Sequence, residues 1–339
     1  MGETLESIAQ KMVARGKGIL AADESSGTIK KRFDAIGVES TEENRRDYRE
    51  LMFRTKEAME NYISGVILFD ETIRQKAADG TPLVTLISDA GSVPGIKVDM
   101  GANDLAGAPG EKVTEGLDGL RERLAEYHAL GARFAKWRGV IDIADGIPSQ
   151  YGIEANTHAL ARYAALCQEA GIVPIVEPEV LMDGGHDIDR CFEVTEAVLT
   201  QLYRDLYVHR VVLEGSVLKP NMVIAGKKSG KQAGIEEVAE KTVKCLKRTV
   251  PSAVPGVVFL SGGQSDEDAT AHLNAMNAAY DMPWALSFSY GRALQAAPQK
   301  AWSGSGANVP AAQAAFAHRA RMNSLAAIGE WNTGLEKAA

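Results

Sequence analysis

The sequence is short of cysteine, of clustered histidine and of long apolar runs, and each shortage removes a class of protein. Three cysteines in 339 residues, Cys167, Cys191 and Cys245, are too few and too scattered for a disulfide framework. Each falls in a segment of helical periodicity, so buried reduced thiols are expected. No run of about 18 apolar residues occurs, so a membrane-spanning helix is not expected. The opening MGETLESIAQKMVARGKG lacks the apolar core of a secretory signal, and its glutamates argue against a transit peptide. Five of the six histidines (His128, His158, His209, His272 and His318) are dispersed along predicted helices. The sixth, His186, sits in the only His-Asp pair and reads as a loop or cap residue, whereas a catalytic zinc needs two or three ligands at close spacing. Neither a dinucleotide fingerprint nor a Walker sequence is present. The excess of acids, 45 against 37 lysines and arginines, gives a formal charge of −8 and argues against general binding to nucleic acid or anionic membrane. What remains, 45% hydrophobic and 24% charged with no low-complexity linker, is the composition of a globular, cytoplasmic enzyme.

Along the chain, short apolar runs alternate with helical segments. The strand candidates are 17–23, 65–70, 95–99, 133–141, 172–180, 211–220, 257–263 and 284–291. Most are continuously apolar and rich in Val, Ile and Phe, the pattern of parallel strands covered on both faces. Between them the periodicity predicts helices over 41–62, 116–131, 156–171, 187–210, 234–250 and 265–280, with a long alanine-rich helix over 311–331. Gly131 and Gly171 supply C-terminal stops, and Thr41 and Asn156 supply caps. Eight alternations without a break predict a single (β/α)8 barrel over residues 1–330, with an N-terminal helical segment and a tail at 331–339.

In such a barrel the chemistry lies at the carboxyl ends of the strands. Those ends carry Asp23 and Glu24, Lys97 and Asp99, Lys136 and Arg138, Glu177 and Glu179, and Lys219. Side chains alternate along a strand, so Lys136 shares a face with Arg138 and Glu177 with Glu179. Charges inside apolar strands are costly unless paired or functional. Three lysines and three carboxylates converging on one cavity suggest Schiff-base chemistry. A lysine attacks a ketone only when deprotonated, and a nearby cation or apolar walls favour that form. Lys219, in VLKPN, reads as the nucleophile, Lys136 as the neighbouring cation and Glu177 as the proton shuttle. Interlocked salt bridges lining a barrel are the alternative.

The second signal is phosphate. Ser261-Gly262-Gly263 follows the penultimate strand and precedes a helix, where free backbone N–H groups can hold an anion. Ser289 and Arg292, at the end of the final strand, would complete that site. Lys31 and Arg32, with Lys97, form a second basic group, for which a solvated helix face is the alternative.

These residues carry a resemblance. The segments GILAADESSGTIKKRF, GVILFDETI, PGIKVDMG, FAKWRGVI, GIVPIVEPEVLMDGGHDIDRC, LEGSVLKPNMV, FLSGGQSDEDAT and WALSFSYGRALQ occur in order across residues 1–330. In them the sequence resembles the class I fructose-bisphosphate aldolases of animals, plants and bacteria. The resemblance implies metal-independent, reversible cleavage of fructose 1,6-bisphosphate to dihydroxyacetone phosphate and glyceraldehyde 3-phosphate, in glycolysis and gluconeogenesis, by a homotetramer without a cofactor. It implies that Lys219 forms the imine and that Asp23 assists proton transfer and carbon–carbon cleavage. Glu177 would dehydrate the carbinolamine, with Glu179 and Lys136 in the same network. Ser261, Gly262, Gly263, Ser289 and Arg292 would hold the phosphate of the ketose half, and Arg32, Lys97 and Arg138 would lie toward the other. Aldolases of the same fold that favour fructose 1-phosphate or sedoheptulose bisphosphate remain alternatives, as does a non-catalytic scaffold. Many animal members end in a tyrosine tail that aids proton exchange on the enamine. The sequence closes instead on GEWNTGLEKAA, so the proton carrier at C3 has no assigned residue, Glu336 included.

Overall fold

A computed structural model describes residues 3–337. Eight parallel strands close on themselves: β1 (Gly18–Ala22), β2 (Ile63–Leu68), β3 (Val93–Lys97), β6 (Phe134–Ile141), β7 (Val173–Val180), β8 (Val217–Leu218), β9 (Gly256–Phe259) and β10 (Ala285–Tyr290). The ring shuts where Ile19 of β1 meets Ser289 of β10. A two-stranded hairpin, β4 (Ala102–Asp104) and β5 (Lys112–Thr114), rises after β3. The first helices are α1 (Leu5–Met12), α2 (Ser26–Asp34), α3 (Glu42–Phe53), α4 (Lys56–Asn61), α5 (Asp70–Arg74) and α6 (Leu83–Asp89). They are followed by α7 (Leu120–Ala129), α8 (Gln150–Glu169), α9 (Ile188–Val208), α10 (Ile235–Thr249), α11 (Asp266–Ala279), α12 (Arg292–Trp302) and α13 (Val309–Ala326). None of the described helices is long and apolar enough to cross a membrane.

The barrel's interior is apolar below and ionic above. Ile67, Val93, Phe134, Val173, Ile175, Val217 and Val258 form one buried cluster with Ile8, Ala9, Met12 and Val13. The helix α1 therefore plugs the amino-terminal end of the barrel with its apolar stripe. Two residues further along the same faces, Phe134 gives way to Lys136, Ile175 to Glu177 and Val217 to Lys219. The outward faces pack Leu20, Ile96, Trp137, Val176 and Phe288 into the larger helix-covered core. Cys167, Cys191 and Cys245 are buried free thiols on α8, α9 and α10, as expected.

Several expected boundaries move, four of them for a visible reason. The segment 41–62 is two helices, because Thr55 leaves helical space and its hydroxyl donates to the Leu51 carbonyl at 2.8 Å. The strand expected over 211–220 shrinks to Val217–Leu218 behind a 3₁₀ turn at Leu213–Gly215. There the Gln168 side chain replaces ladder bonds, donating to the Val212 and Gly215 carbonyls and accepting from the Val212 N–H. Asn156 is not a cap: α8 begins about two turns earlier, where Ser149 accepts from the Gly152 N–H. Gly152 hides this start in the sequence; a Cβ there would lie 1.9 Å from Glu111 Oε1 and displace the carboxylate that Ser149 holds. The last helix stops at Ala326, and Gly329, at φ +74°, turns the chain back. Trp331 is then buried, and its indole N–H donates to Glu336, which also pairs with Arg319.

Phe134 fills the barrel only because β2 and β3 present Gly65 and Gly95 to it. A Cβ on Gly95 would sit 2.3 Å from the Phe134 ring. Gly95→Ala is expected to destabilise the fold by about 1–3 kcal/mol through overpacking. Adding Phe134→Leu should restore part of that loss, read as the midpoint of urea unfolding.

Candidate active site

Four adjacent strands supply the central charges. Register places Lys97 of β3 beside Lys136 of β6, and Arg138 beside Glu177 of β7. Lys219 leaves the end of β8, its N–H donating to the Val176 carbonyl at 2.9 Å. The next residues hold this junction: Asn221 Oδ1 accepts from the Val180 N–H at 3.0 Å while Nδ2 donates to Thr195 and to the Met222 carbonyl.

The ion pairs form a continuous chain. Lys219 Nζ lies 3.0 Å from Glu177 Oε1, and Lys136 Nζ lies 3.4 Å from Glu177 Oε2. Lys136 also sits 2.7 Å from Asp23 and 3.8 Å from Asp99, and Asp99 lies 3.5 Å from Lys97. Glu177 thus bridges two lysines, and Lys136 is shared among three carboxylates. The side chains of Lys136, Glu177 and Lys219 are each only 5% exposed. Glu179 accepts from Arg138 on the neighbouring strand.

Burial and charge pull in opposite directions here. Burial by itself would raise the Asp23 pKa, but Lys136, Lys219 and Lys97 hold it well below the usual carboxylate range. Glu177 is likewise favoured in its neutral form by burial and brought below its ordinary value by Lys219, Lys136 and Arg138. Desolvation would lower the pKa of Lys136, and Asp23, Glu177 and Asp99 together raise it well above that of a free lysine. The resting site therefore holds both carboxylates ionised and Lys136 charged.

A cavity of about 220 Å³ opens beside this chain, lined by Asp23, Lys97, Lys136 and Arg138 together with Glu24, Arg32 and Asp99. Arg32 enters from α2 and is held by Glu24 at 2.5 Å. Lys31 is exposed and does not line the cavity, so the second basic group reduces to Arg32 and Lys97. Beneath it Gln295 donates to Glu24 at 2.7 Å, and Arg49, 1% exposed, lies 3.8 Å from Glu24 and 3.7 Å from Glu71. Glu24 and Asp99 were legible as strand-end acids but not assigned. Arg49 and Gln295 carried no signal, being one charge among many in EENRRDYRE and one polar residue in a helix.

The glycine loop lies on the opposite side. Ser261, Gly262 and Gly263 follow β9, and a Cβ on Gly262 would lie 3.2 Å from Glu179 Oε1, so loop and carboxylate are neighbours. Ser289 is buried on β10, and its hydroxyl has no partner among the described residues. Arg292 opens α12 and donates to the Ser261 carbonyl at 3.2 Å and to that of Gln264. His186 is a loop residue, next to Asp187, whose side chain caps α9.

The site thus joins a buried lysine–carboxylate chain to a basic cavity and a glycine loop. The family model for fructose-bisphosphate aldolase class-I matches residues 4–339. The chain is 62% identical over 330 residues to a probable fructose-bisphosphate aldolase class 1 of Xanthomonas campestris pv. campestris, covering 97% of this chain and 98% of the relative. It is 56% identical over 327 residues to the cytoplasmic isozyme of fructose-bisphosphate aldolase from Spinacia oleracea, covering 96% and 91%. The fructose-bisphosphate aldolase of Plasmodium falciparum, solved with TRAP and a small-molecule inhibitor, superposes with a TM-score of 0.96 at 51% identity, covering 97% of this chain and 95% of that one. The chain belongs to the class I fructose-bisphosphate aldolase family.

Proposed function

We propose that this enzyme reversibly splits fructose 1,6-bisphosphate into dihydroxyacetone phosphate and glyceraldehyde 3-phosphate, with Lys219 as the imine-forming residue. The observation that carries the residue assignment is the chain Lys219–Glu177–Lys136–Asp23, in which nucleophile, proton shuttle, fixed cation and base are in hydrogen-bond or ion-pair contact.

The steps follow from the contacts. Glu177, 3.0 Å from Lys219, takes a proton from the ammonium and frees the amine to attack the C2 ketone. As the nitrogen bonds to C2, one of its two remaining protons passes to the C2 oxygen, and the same carboxyl then returns its own proton to that hydroxyl, which leaves as water and produces the protonated imine. Asp23, ionised beside Lys136, removes the C4 hydroxyl proton. That O–H pair becomes the aldehyde C=O, and the C3–C4 pair flows into the imine to form the enamine. Protonation at C3 and hydrolysis release the ketose phosphate and regenerate Lys219. Lys136 keeps its charge throughout, offsetting the carboxylates as protons move. Ser261–Gly263, Ser289 and Arg292 bind the ketose phosphate, while Arg32, Lys97 and Arg138 receive the other. Two held ends fix the scissile bond over the lysine, converting remote binding into orientation.

Assignment to the cytoplasm is supported by the name of the spinach relative. A homotetramer is supported by exposed large apolar side chains such as Met100, Tyr207 and Val208, the kind of surface that self-association covers.

Borohydride reduction in the presence of dihydroxyacetone phosphate, followed by peptide mass mapping, should place one adduct on Lys219 and none on the Lys219→Ala variant. Substrate that binds without leaving an adduct would overturn the imine assignment. The depressed carboxylates give a second test. Lys136→Met removes the cation nearest Asp23 and one of the two lysines flanking Glu177, so the pKa values of both carboxylates rise and both protonate at higher pH. The acid limb of the kcat/KM profile should move to higher pH, with kcat at neutral pH reduced by about 10²-fold or more. An unmoved acid limb would show that these carboxylates do not govern the rate.

A further inference from the structure

Arg292 has the charge for a phosphate, yet the loop beside it occupies its guanidinium. Nη2 donates to the carbonyls of Ser261 and Gln264, and Nη1 lies 3.3 Å from Asp266. Turning toward an anion requires the guanidinium to release some of these oxygens. The loop then needs other contacts to keep its shape, since free N–H groups hold an anion only while they converge.

Two such contacts exist. The first is steric: Gly263, at φ +78°, lies so close to Met182 that a Cβ would approach its Cγ to 2.1 Å. The second comes from α11. His272 is 8% exposed, and its Nδ1 lies 2.6 Å from Oε1 of Gln264, itself 7% exposed. A glutamine Oε1 only accepts, so Nδ1 carries the proton in this assignment of the network. Burial lowers the pKa of His272, in keeping with a neutral imidazole. The amide Nε2 of Gln264 has no acceptor among the described residues, so the His272 bond alone orients that side chain.

We propose that His272 is a positioning residue: by holding the Gln264 amide from behind, it keeps the Ser261–Gln264 backbone in its anion-binding shape once Arg292 lets go of the loop carbonyls. The proposal rests on the assignment of this loop to the ketose phosphate. His272 touches no substrate, so its removal should weaken phosphate recognition and spare the chemical step.

The test compares His272→Leu, which cannot donate, with His272→Asn, whose Nδ2 can take the place of Nδ1. Inorganic phosphate serves as a competitive inhibitor and fructose 1,6-bisphosphate as substrate. His272→Leu should raise both the phosphate inhibition constant and KM by about fivefold, the worth of one buried hydrogen bond, with kcat within about twofold of the parent. His272→Asn should restore both constants. Unchanged phosphate inhibition in His272→Leu overturns the proposal. So does a His272→Asn variant as impaired as His272→Leu, which would make the imidazole a packing residue only. If His272→Leu does not fold, Gln264→Leu removes the same bond from the other side and must show the same split between KM and kcat. Arg292→Ala separates this inference from the reading beneath it. Phosphate inhibition insensitive to Arg292→Ala removes the loop assignment, whereas sensitivity to Arg292→Ala alone removes only the role of His272.

Discussion

The structure turns on one arrangement: a lysine buried among three carboxylates. Moving a single charge from water into an apolar interior costs many kcal/mol, and an unpaired Lys136 would shed its proton. Asp23, Glu177 and Asp99 keep it charged, and together with Lys219 it keeps Asp23 and Glu177 ionised against their own burial. None of these groups is stable there alone. The arrangement therefore demands rigid placement, because an ion pair stretched by an ångström in a low dielectric loses much of what offsets its desolvation. Parallel strands joined by backbone ladders supply that rigidity. The charges sit on β3, β6, β7 and β8, with Asp23 immediately after β1, where neighbouring residues are held in register.

The groups proposed to bind the phosphates obey a different rule. Arg32, Arg292 and the Ser261–Gln264 loop lie beyond the strands, on helices and connections, and their partners are weaker and more exchangeable. Arg292 has solvent access and bonds to carbonyls, Arg32 to a single carboxylate. A group that must exchange a protein partner for a ligand cannot be locked as Lys136 is locked. Deeper residues set where these movable arginines rest: Arg49 and Gln295 fix Glu24, and Glu24 fixes Arg32.

Much of this was readable before the fold was known, and for a physical reason. Strand alternation projects Lys97, Lys136, Glu177 and Lys219 to one side, and charges among Val, Ile and Phe announce a site because chance rarely places them there. What was not readable depends on which side chain meets which backbone. The two-residue strand at Val217 is short because Gln168, on a distant helix, takes its ladder bonds. The true start of α8 was hidden by Gly152, where a Cβ would displace the carboxylate of Glu111. Arg49 stands in a run of charges that all look solvated, and only the packing of α3 against the end of β1 picks it out. Lys31 and Arg32 are adjacent in sequence, and helix geometry sends one to solvent and the other to the cavity.

The helix that plugs the barrel imposes an order on synthesis. Its apolar stripe, Ile8, Ala9, Met12 and Val13, is translated before any strand, yet its partners include Val173, Val217 and Val258. The seam between β1 and β10 cannot be sewn until residue 289 is made. A nascent chain therefore carries a greasy amino terminus and an open sheet edge for most of its time on the ribosome. The plug can be covered once β9 is made, whereas the seam waits for β10, so the two surfaces close at different lengths of chain.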